Sequence, residues 1–496
     1  MTTLLKKLEA HDSKTASLLC GDTSISFGDL RASVDAFARQ LLDGKDDLGE
    51  ERIAMLLPAG PDYVTALLGI WRAGGVAVPL STAAAVKELE YALETARATR
   101  LVSSGAMADK IAASCTERNI DIVAVGEAGR NTASAMPEIR PERRAMMLFT
   151  SGTTSRPKGV VSTHRNISAQ ITALIDAWRW RAKDRIPLFL PLHHIHGIIN
   201  VLCCALWAGA RVDLIDGFNA NTILDRVAKG LYNVFMAVPT IYVKLIDALE
   251  NMPANEREAA CRGFGDMRLM VSGSAACPVS VHERWRALTG QTLLERYGMT
   301  EIGMALSNPY DGERRPGTVG QPLPGVEVIL VDESGEQVGG ENEAGEIWVR
   351  GNSVFLEYWD NPEATSKEFT DGWFRTGDIA DRVDGYYRIL GRSSVDIIKS
   401  GGYKLSALEI ESALLDHDAV AECAVVGLPD DTWGEAVNAA VVLTRDTTLS
   451  AEALRSWCKS RMSSYKVPKN IHFMDSLPRN AMGKVTKQAV KALLQA

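Results

Sequence analysis

Short apolar runs alternate with amphipathic stretches over most of this chain. The runs include IAMLLP from Ile53, VAVPL from Val76, NVFMAV from Asn233 and LMVSG from Leu269. Short, nearly continuous apolar runs are typical of strands buried on both faces, and the stretches between them have helical periodicity. Repeated strand–helix units of this kind predict an α/β protein with largely parallel sheets.

The pattern changes between about residue 320 and residue 390. The segments GEIWVRG, DGWFRTGD and DGYYRILGR predict short strands joined by Gly and Asp turns, and so a β-rich subdomain. After Arg392 an α+β pattern returns, with LSALEIESALLDH as a helix and with AECAVVGLP and AVNAAVVLT as strands. We therefore predict an N-terminal domain over residues 1–391 and a C-terminal domain over residues 392–496.

Composition and charge narrow the class of protein. The 496 residues are 46% hydrophobic with a net charge of −8, which excludes disorder as the main state and shows no basic excess for nucleic acid. No apolar stretch reaches the roughly 18 residues of a membrane span, and the first residues do not resemble a secretory signal or a transit peptide. We expect a cytoplasmic protein, monomeric or homodimeric, that binds neither nucleic acid nor a membrane.

The strongest local motif is TSGTTSRPKG at residues 150–159, which follows the apolar run MMLF. Small residues let backbone N–H groups approach phosphate oxygens, hydroxyls donate further hydrogen bonds, and a lysine adds charge. The Walker pattern is absent, so this is a different kind of polyphosphate loop. Its candidate binding residues are Thr150, Ser151, Gly152, Thr153, Thr154 and Lys158.

Four further motifs follow along the chain. They are ERYGMTE at residues 295–301, RTGD at 375–378, GR at 391–392 with KSGGYK at 399–404, and PRNAMGK at 478–484. An aromatic side chain could stack on a base, a hydroxyl could bind phosphate, and Glu301 could hold Mg²⁺. Taken alone, each of these motifs is more typical of a turn or an ion pair than of a site.

The five motifs together, in this order and spacing, resemble the adenylate-forming superfamily. That superfamily includes acyl-CoA synthetases, firefly luciferase and nonribosomal-peptide adenylation domains, and the resemblance spans nearly the whole chain. It implies a large N-terminal domain of two α/β sheets plus a distorted β-barrel, and a small mobile α+β C-terminal domain. It also implies an ATP-dependent ligase that joins a carboxylate to AMP, releases pyrophosphate, and passes the acyl group to the thiol of CoA.

The resemblance also implies roles for individual residues. Residues 150–154 and Lys158 resemble the pyrophosphate-binding loop, and Lys484 resembles the lysine that stabilises the adenylation transition state. The remaining implied ATP-site residues are Tyr297 beside adenine, Thr300 at the phosphates, Glu301 on Mg²⁺, Asp378 on the ribose with Arg392 assisting it, and Gly273, Ser274 and Ala275 lining the adenine and acyl pocket. His194 occupies the position of a histidine that shapes the acyl site.

Two departures from the family pattern stand out. The phosphate loop has Ser155 where a glycine is usual, so we expect altered phosphate binding with activity retained. The stretch from Arg392 to Asp396 has one residue more than the common spacing, which leaves Ser394 and Val395 as alternative pivots of the C-terminal domain.

Within the superfamily, stretches such as LPLHHIHGIINVL and SVDIIKSGGYKLSALEIE are most similar to malonyl-CoA synthetases of the acyl-CoA synthetase family member three type. Arg296 precedes the Tyr-Gly pair, where other members usually have a small or neutral residue. A guanidinium at the acyl pocket would bind a second carboxylate, and His196 could add a donor. The alternatives are that Arg296 pairs with a structural acid near Glu295, and that His196 is an ordinary core histidine.

These features predict a malonate–CoA ligase that uses ATP, Mg²⁺ and CoA. A synthetase for methylmalonate or for a short or medium monocarboxylate is the main alternative. Loading of a carrier protein ranks lower, because the chain has no carrier motif. A non-catalytic scaffold is disfavoured by the presence of Lys484, Glu301 and Asp378.

Overall fold

The computed structural model describes residues 2–126, 135–150, 157–400, 403–430, 432–445, 447–479 and 485–495. The helices are α1 Leu4–Glu9, α2 Phe27–Leu42, α3 Pro61–Arg72, α4 Val86–Ala96, α5 Gly105–Glu117, α6 His164–Trp178, α7 Cys204–Ala208, α8 Ala220–Ala228, α9 Pro239–Glu250, α10 Ala254–Gly265, α11 Val279–Thr289, α12 Pro362–Glu368, α13 Ala407–Leu415, α14 Ala451–Lys459 and α15 Lys487–Gln495. A π-helix spans His196–Cys203 and a 3₁₀ turn spans Ser464–Lys466.

The strands fall into five sheets. They are β1 Ala16–Cys20, β2 Thr23–Ser26, β3 Arg52–Leu56, β4 Val76–Pro79, β5 Arg100–Ser103, β6 Asp121–Val123, β7 Arg144–Thr150, β8 Lys158–Thr163, β9 Arg185–Leu188, β10 Arg211–Leu214, β11 Val234–Ala237, β12 Leu269–Ser272, β13 Leu294–Met299, β14 Gly303–Ser307, β15 Gln321–Pro322, β16 Val326–Val331, β17 Gln337–Val338, β18 Gly345–Gly351, β19 Glu357–Tyr358, β20 Phe369–Thr370, β21 Trp373–Val383, β22 Tyr386–Arg392, β23 Ile397–Ser400, β24 Tyr403–Ser406, β25 Val420–Asp430, β26 Gly434–Leu443 and β27 Asn470–Phe473.

The first large sheet has seven strands in the order β19-β8-β7-β4-β3-β5-β6. Strands β3, β4, β5 and β6 run parallel, as the strand–helix alternation predicts. The pair β7–β8 is antiparallel, and its register places Thr150 opposite Lys158. The two ends of the candidate phosphate loop therefore lie side by side.

The other α/β layer consists of two sheets that meet edge to edge. One has the order β2-β1-β10-β9 and the other has the order β11-β12-β13-β14-β15. The backbone N–H of Asn233 donates to the carbonyl of Arg185 at 3.2 Å where they meet. Strands β11, β12 and β13 are parallel, so their carboxyl ends open onto one edge. The α/β class predicted from the apolar runs is confirmed.

An antiparallel sheet occupies the region predicted to be β-rich. Its order is β17-β16-β18-β21-β20, and β22 pairs with β21. The β21–β22 register places Asp378 opposite Arg392 at the end of the pair. Two of the sequence-predicted ATP-site residues are thus brought together by a single hairpin.

The last sheet, β24-β23-β26-β25 with β27 parallel to β26, is built entirely from residues after β22. It packs a core of its own that includes Ile398, Ile410, Val441 and Leu454. This matches the predicted α+β pattern, while the boundary at residues 391/392 and the mobility of residues 392–496 stay predictions. Within the part of the chain that the structure describes, none of the helices combines the length and apolar character of a bilayer crossing.

Candidate active site

A buried polar cluster lies where the parallel strands end. Strand β12 ends at Ser272, and the next residues, Gly273 and Ser274, lie beside Arg296 on β13. A Cβ at Gly273 would stand 2.5 Å from the Arg296 guanidinium, so only glycine leaves room for it. The carboxyl edge of a parallel sheet is the usual ligand site of α/β folds. His196, at the start of the π-helix, completes this cluster.

Ser274 joins the arginine to the histidine. Its backbone has φ +70°, an uncommon conformation for a residue with a side chain. Arg296 Nη2 donates to Ser274 Oγ over a long 3.4 Å, and Ser274 Oγ lies 3.1 Å from His196 Nδ1. Arg296 and His196 are each only 4% exposed. The strained turn therefore holds two buried cationic or polar groups in one place.

The protonation states in this cluster follow from burial. Burial lowers the pKa of Arg296 to about 10, which leaves it charged at neutral pH. Burial, with Arg296 and His194 nearby, holds the pKa of His196 well below its usual value, so its ring is neutral. Because Ser274 Oγ accepts from Arg296, its own proton can go to Nδ1 of the histidine. We assign the ring proton of His196 to Nε2 on this basis.

The cluster is left with donors that have no acceptor. No described residue accepts a hydrogen bond from Arg296 Nε or from His196 Nε2. No described carboxylate lies within 4 Å of the Arg296 guanidinium, since Glu295 instead accepts from the backbone N–H of Cys277 at 2.9 Å and contacts His282. The alternative in which Arg296 pairs with a structural acid is therefore not what the structure has. A buried donor without a partner is uncommon in proteins, and a bound ligand is one way to supply its acceptor.

A second cluster contains Tyr297, Asp378 and Arg392. The Tyr297 hydroxyl donates to Asp378 Oδ2 at 2.6 Å, and Arg392 Nε donates to Asp378 Oδ1 at 2.8 Å. Burial, with the nearby Asp378 carboxylate, raises the pKa of Tyr297 well above its usual range, so the hydroxyl stays protonated as a donor. The three residues assigned to adenine and ribose thus form one hydrogen-bonded group.

Replacing Tyr297 by phenylalanine tests this cluster. Loss of a hydrogen bond to a charged group costs about 1.5–3 kcal/mol, so we expect KM for ATP to rise roughly 10-fold or more with little change in kcat. Steady-state kinetics at saturating acid and CoA measure the effect. Tyr387→Phe is a matched control, because that hydroxyl donates to the Val328 carbonyl at 3.2 Å, outside the cluster. An unchanged KM for ATP in Tyr297→Phe would remove Tyr297 from the nucleotide site.

A third cluster brings Lys158 and Glu301 together around Tyr358. The Tyr358 hydroxyl donates to Glu301 Oε1 at 3.0 Å, and the Lys158 ammonium lies 4.4 Å from the centre of the Tyr358 ring. Burial raises the pKa of Glu301 above its usual value. Lys158 also lies 3.9 Å from Glu368. A cation and a buried carboxylate at the end of the β7–β8 hairpin suit a phosphate chain and its metal ion.

The remaining predicted residues are less fully placed. Thr300 is half-buried in the turn after β13, and Ala275 is exposed in the loop after β12. The ring centres of His193 and His194 are 4.1 Å apart. His194 precedes His196 by two residues in the sequence. Ser151, Gly152, Thr153, Thr154, Ser155 and Lys484 lie outside the described residues.

The structure also shows contributors that the sequence analysis missed. Tyr358 had no motif around it, and only its contacts with Lys158 and Glu301 reveal it. Gly273 and Ser274 were identified, but not their role in holding Arg296.

Among the described residues no group of three or more His, Cys, Asp and Glu side chains is arranged to hold a metal ion.

Comparison with known proteins identifies the family. The model of the AMP-binding enzyme family matches residues 6–359, and that of the AMP-binding enzyme C-terminal domain matches residues 409–484. The mouse protein malonate–CoA ligase ACSF3, mitochondrial, is 42% identical over 94% of this chain and 88% of its own length. An Arabidopsis thaliana malonate–CoA ligase is 39% identical over 91% of this chain and 79% of its own.

A solved structure agrees with these matches. ATP-bound MatB from Rhodopseudomonas palustris is 33% identical, covers 99% of both chains, and superposes with a TM-score of 0.89. The family models together span most of the chain, and the similar structure extends over both the N-terminal sheets and the last sheet. The resemblance inferred from the five motifs is confirmed. The chain belongs to the AMP-binding enzyme family of adenylate-forming enzymes.

Proposed function

We propose that this protein is a malonate–CoA ligase, which forms malonyl-CoA from malonate, ATP and CoA. The observation that carries the proposal is the pair of buried, unpartnered donors, Arg296 Nε and His196 Nε2. Both groups donate and neither finds an acceptor among the described residues, so the complementary ligand is an acceptor with negative charge. The second carboxylate of malonate has that chemistry. The malonate–CoA ligases of mouse and Arabidopsis, similar over most of the chain, support the same substrate.

A monocarboxylate fits this cluster poorly. An alkyl tail against Arg296 would leave a buried guanidinium with only one weak hydrogen bond, to Ser274 at 3.4 Å. Burying a charge without a partner is costly. A carboxylate instead carries two charged acceptor oxygens, which match the donor character of Arg296 and His196. The donor cluster therefore favours a dicarboxylate over a short or medium monocarboxylate.

The reaction has two steps. One carboxylate oxygen of malonate attacks the α-phosphorus of ATP, the bond to pyrophosphate breaks, and malonyl-adenylate forms. The CoA sulfur then attacks the acyl carbon, its proton is lost, and AMP leaves with the bond electrons. Both reactants of the first step are anionic, so cationic groups at the phosphates lower the barrier. Lys158 and Lys484 supply such groups in our assignment.

Glu301 is our candidate ligand for Mg²⁺. The residue is 5% exposed, and burial raises the pKa of its carboxyl. A nearby divalent cation would act in the opposite direction and favour the charged form. Mg²⁺ in nucleotide enzymes is commonly bound by one or two carboxylates together with substrate phosphates. A buried carboxylate near Lys158 fits a metal ion that arrives with ATP. When bound, the ion neutralises phosphate charge.

Replacing Glu301 by glutamine tests this assignment. We expect the Mg²⁺ concentration for half-maximal adenylation to rise about 10- to 100-fold, the range found when groups supporting a metal site are removed. Pyrophosphate release titrated with Mg²⁺ measures it. Glu357→Gln is the control, because Glu357 on β19 pairs with Arg144 on β7 at 2.8 Å and forms no hydrogen bond with Glu301 in the described part of the chain. Equal Mg²⁺ dependence in wild type and Glu301→Gln would contradict the assignment.

The substrate is tested by CoA-thioester formation with ATP, Mg²⁺ and a panel of acids. The panel contains malonate, methylmalonate, succinate, acetate, butyrate and octanoate. Malonate far ahead of the monocarboxylates is the expected result. A monocarboxylate ahead would overturn the malonate proposal while keeping a CoA ligase, and pyrophosphate release without thioester would indicate a different acceptor. The cytoplasmic location and the oligomeric state stay predictions.

A further inference from the structure

Lys487, the first residue of α15, is a buried cation outside the clusters described above. Its side chain is only 10% exposed, and its ammonium lies 2.5 Å from Asp396 Oδ1 and 2.7 Å from Glu411 Oε1. Burial opposes its charge, but the two carboxylates raise the pKa of Lys487 above its usual value. The lysine is therefore charged and held by two acids at once.

Both acids are themselves fixed to the backbone. Glu411 Oε1 accepts from the N–H of Val425 at 2.7 Å, and Asp396 Oδ2 accepts from the N–H of Arg392 at 3.0 Å. The Arg392 side chain in turn donates to Asp378 in the nucleotide cluster. A continuous series of polar contacts thus runs from the candidate ribose site, through the junction after β22, to Lys487.

Backbone hydrogen bonds join Val485 and Thr486, just before Lys487, to Pro478 and Arg479. Arg479 and Val485 form an antiparallel bridge, and the N–H of Thr486 donates to the Pro478 carbonyl at 2.9 Å. Arg479 Nη2 lies 2.7 Å from Glu422 Oε2. Lys484 directly precedes this bridge in the sequence. Arg479 and Lys487 therefore each make an ion pair, one before and one after Lys484 in the sequence.

We infer that Lys487 is a positioning residue for adenylation, because it ties the chain three residues after Lys484 to Asp396 at the junction after β22. The inference rests on the proposed role of Lys484 in the first step. Displacements of about 1 Å in a reacting group can cost on the order of 10²-fold in rate. Loosening this contact should therefore affect adenylation, which needs Lys484, and spare thioester formation, which does not.

A purely structural ion cluster is the competing explanation. Breaking a buried ion pair is strongly destabilising in many proteins, whatever its place in the fold. A structural role would lower both half-reactions together and in proportion to the loss of folded protein. The two explanations therefore predict different ratios of the adenylation rate to the thioester-forming rate, whereas both predict a loss of total activity.

The test compares two half-reactions in full-length Lys487→Met. Malonate-dependent exchange of pyrophosphate into ATP reports adenylation, and supplied malonyl-adenylate with CoA reports thioester formation. We expect exchange to fall about 10-fold or more, with thioester formation within about 2-fold of wild type. Lys487→Arg keeps the charge and should restore most of the exchange activity. If Lys487→Met does not fold, Glu411→Gln weakens the same contact with a smaller change.

Two controls separate positioning from stability. Lys466→Met removes another lysine of the same region, which pairs with Glu409 at 2.6 Å. Leu454→Ala opens a cavity in the core of the last sheet, where Leu454 is fully buried. Both should leave the ratio of the half-reactions at the wild-type value. Equal losses in both half-reactions of Lys487→Met, or no loss in either, would overturn the inference.

Lys484→Ala in the same assays separates this inference from the proposed function. Unimpaired exchange in Lys484→Ala would overturn the role of Lys484, and the inference would fall with it. A selective loss of exchange in Lys484→Ala, without one in Lys487→Met, would overturn the inference alone. A selective loss in both variants supports both assignments.

Discussion

Lys484→Ala is expected to reduce malonyl-adenylate formation by about 10²–10³-fold, the usual cost of removing one group that stabilises developing charge. The carboxylate and the α-phosphate are both anionic, so their approach depends on a nearby cation. Thioester formation from supplied malonyl-adenylate should stay near the wild-type rate. In that step the CoA sulfur attacks the acyl carbon, and the bond between the α-phosphate and pyrophosphate, at which Lys484 is proposed to act, is already broken.

Pyrophosphate exchange and thioester formation, measured separately, check this expectation. Lys491→Ala provides the control, since Lys491 lies on α15 and its ammonium is 3.9 Å from Glu435 Oε1. It should change neither half-reaction. If Lys484→Ala loses both half-reactions to the same degree, or retains full exchange, the assignment of Lys484 to the first step is wrong.

Arg296→Ala is expected to raise KM for malonate by about 30-fold or more, because removing one partner of a buried charge pair costs about 2–5 kcal/mol. KM for ATP should change much less than KM for malonate, since the hydrogen bonds that join Tyr297, Asp378 and Arg392 do not include Arg296. The preference for malonate over butyrate should also weaken, so that the ratio of kcat/KM for malonate to that for butyrate is smaller in the variant than in wild type. Steady-state kinetics with each acid measure both effects.

Arg296→Lys sharpens the comparison. It keeps a positive charge but cannot form the two-pronged contact of a guanidinium with a carboxylate, so an intermediate KM is expected. Arg268→Lys is the matched control, because Arg268 is largely buried against Asp184 elsewhere in the N-terminal sheets. Equal increases in KM for malonate and for ATP in Arg296→Ala would show that the substitution disturbs the whole site and not the acid pocket.

Local sequence patterns predicted the elements well. The runs beginning at Ile53, Val76 and Leu269 form β3, β4 and β12, because a buried strand needs apolar residues on both faces. The motif ERYGMTE predicted Tyr297 and Glu301 as site residues, and the structure places each in a polar cluster. Those assignments came from the resemblance that the five motifs carry together, because this motif taken alone is more typical of a turn or an ion pair.

Contacts between distant segments were not predictable in the same way. Tyr358 contacts both Lys158 and Glu301, although Lys158 and Tyr358 are about two hundred residues apart in the sequence. Lys487, at the start of α15, pairs with Asp396, just before β23, and no periodicity in either segment indicates this contact. Packing of whole elements sets these contacts, so apolar patterns and turn residues carry no information about them.

The most direct test of the account is the ratio of kcat/KM for malonate to that for acetoacetate in the wild-type protein. Acetoacetate has the size and shape of malonate, with a methyl group and a carbonyl in place of the second carboxylate. If Arg296 and His196 bind that carboxylate, malonate should be preferred by about 10²-fold or more, because acetoacetate offers one neutral acceptor oxygen where the carboxylate offers two charged ones. A ratio within about threefold, or a preference for acetoacetate, would contradict the account, since such a difference is worth less than 1 kcal/mol.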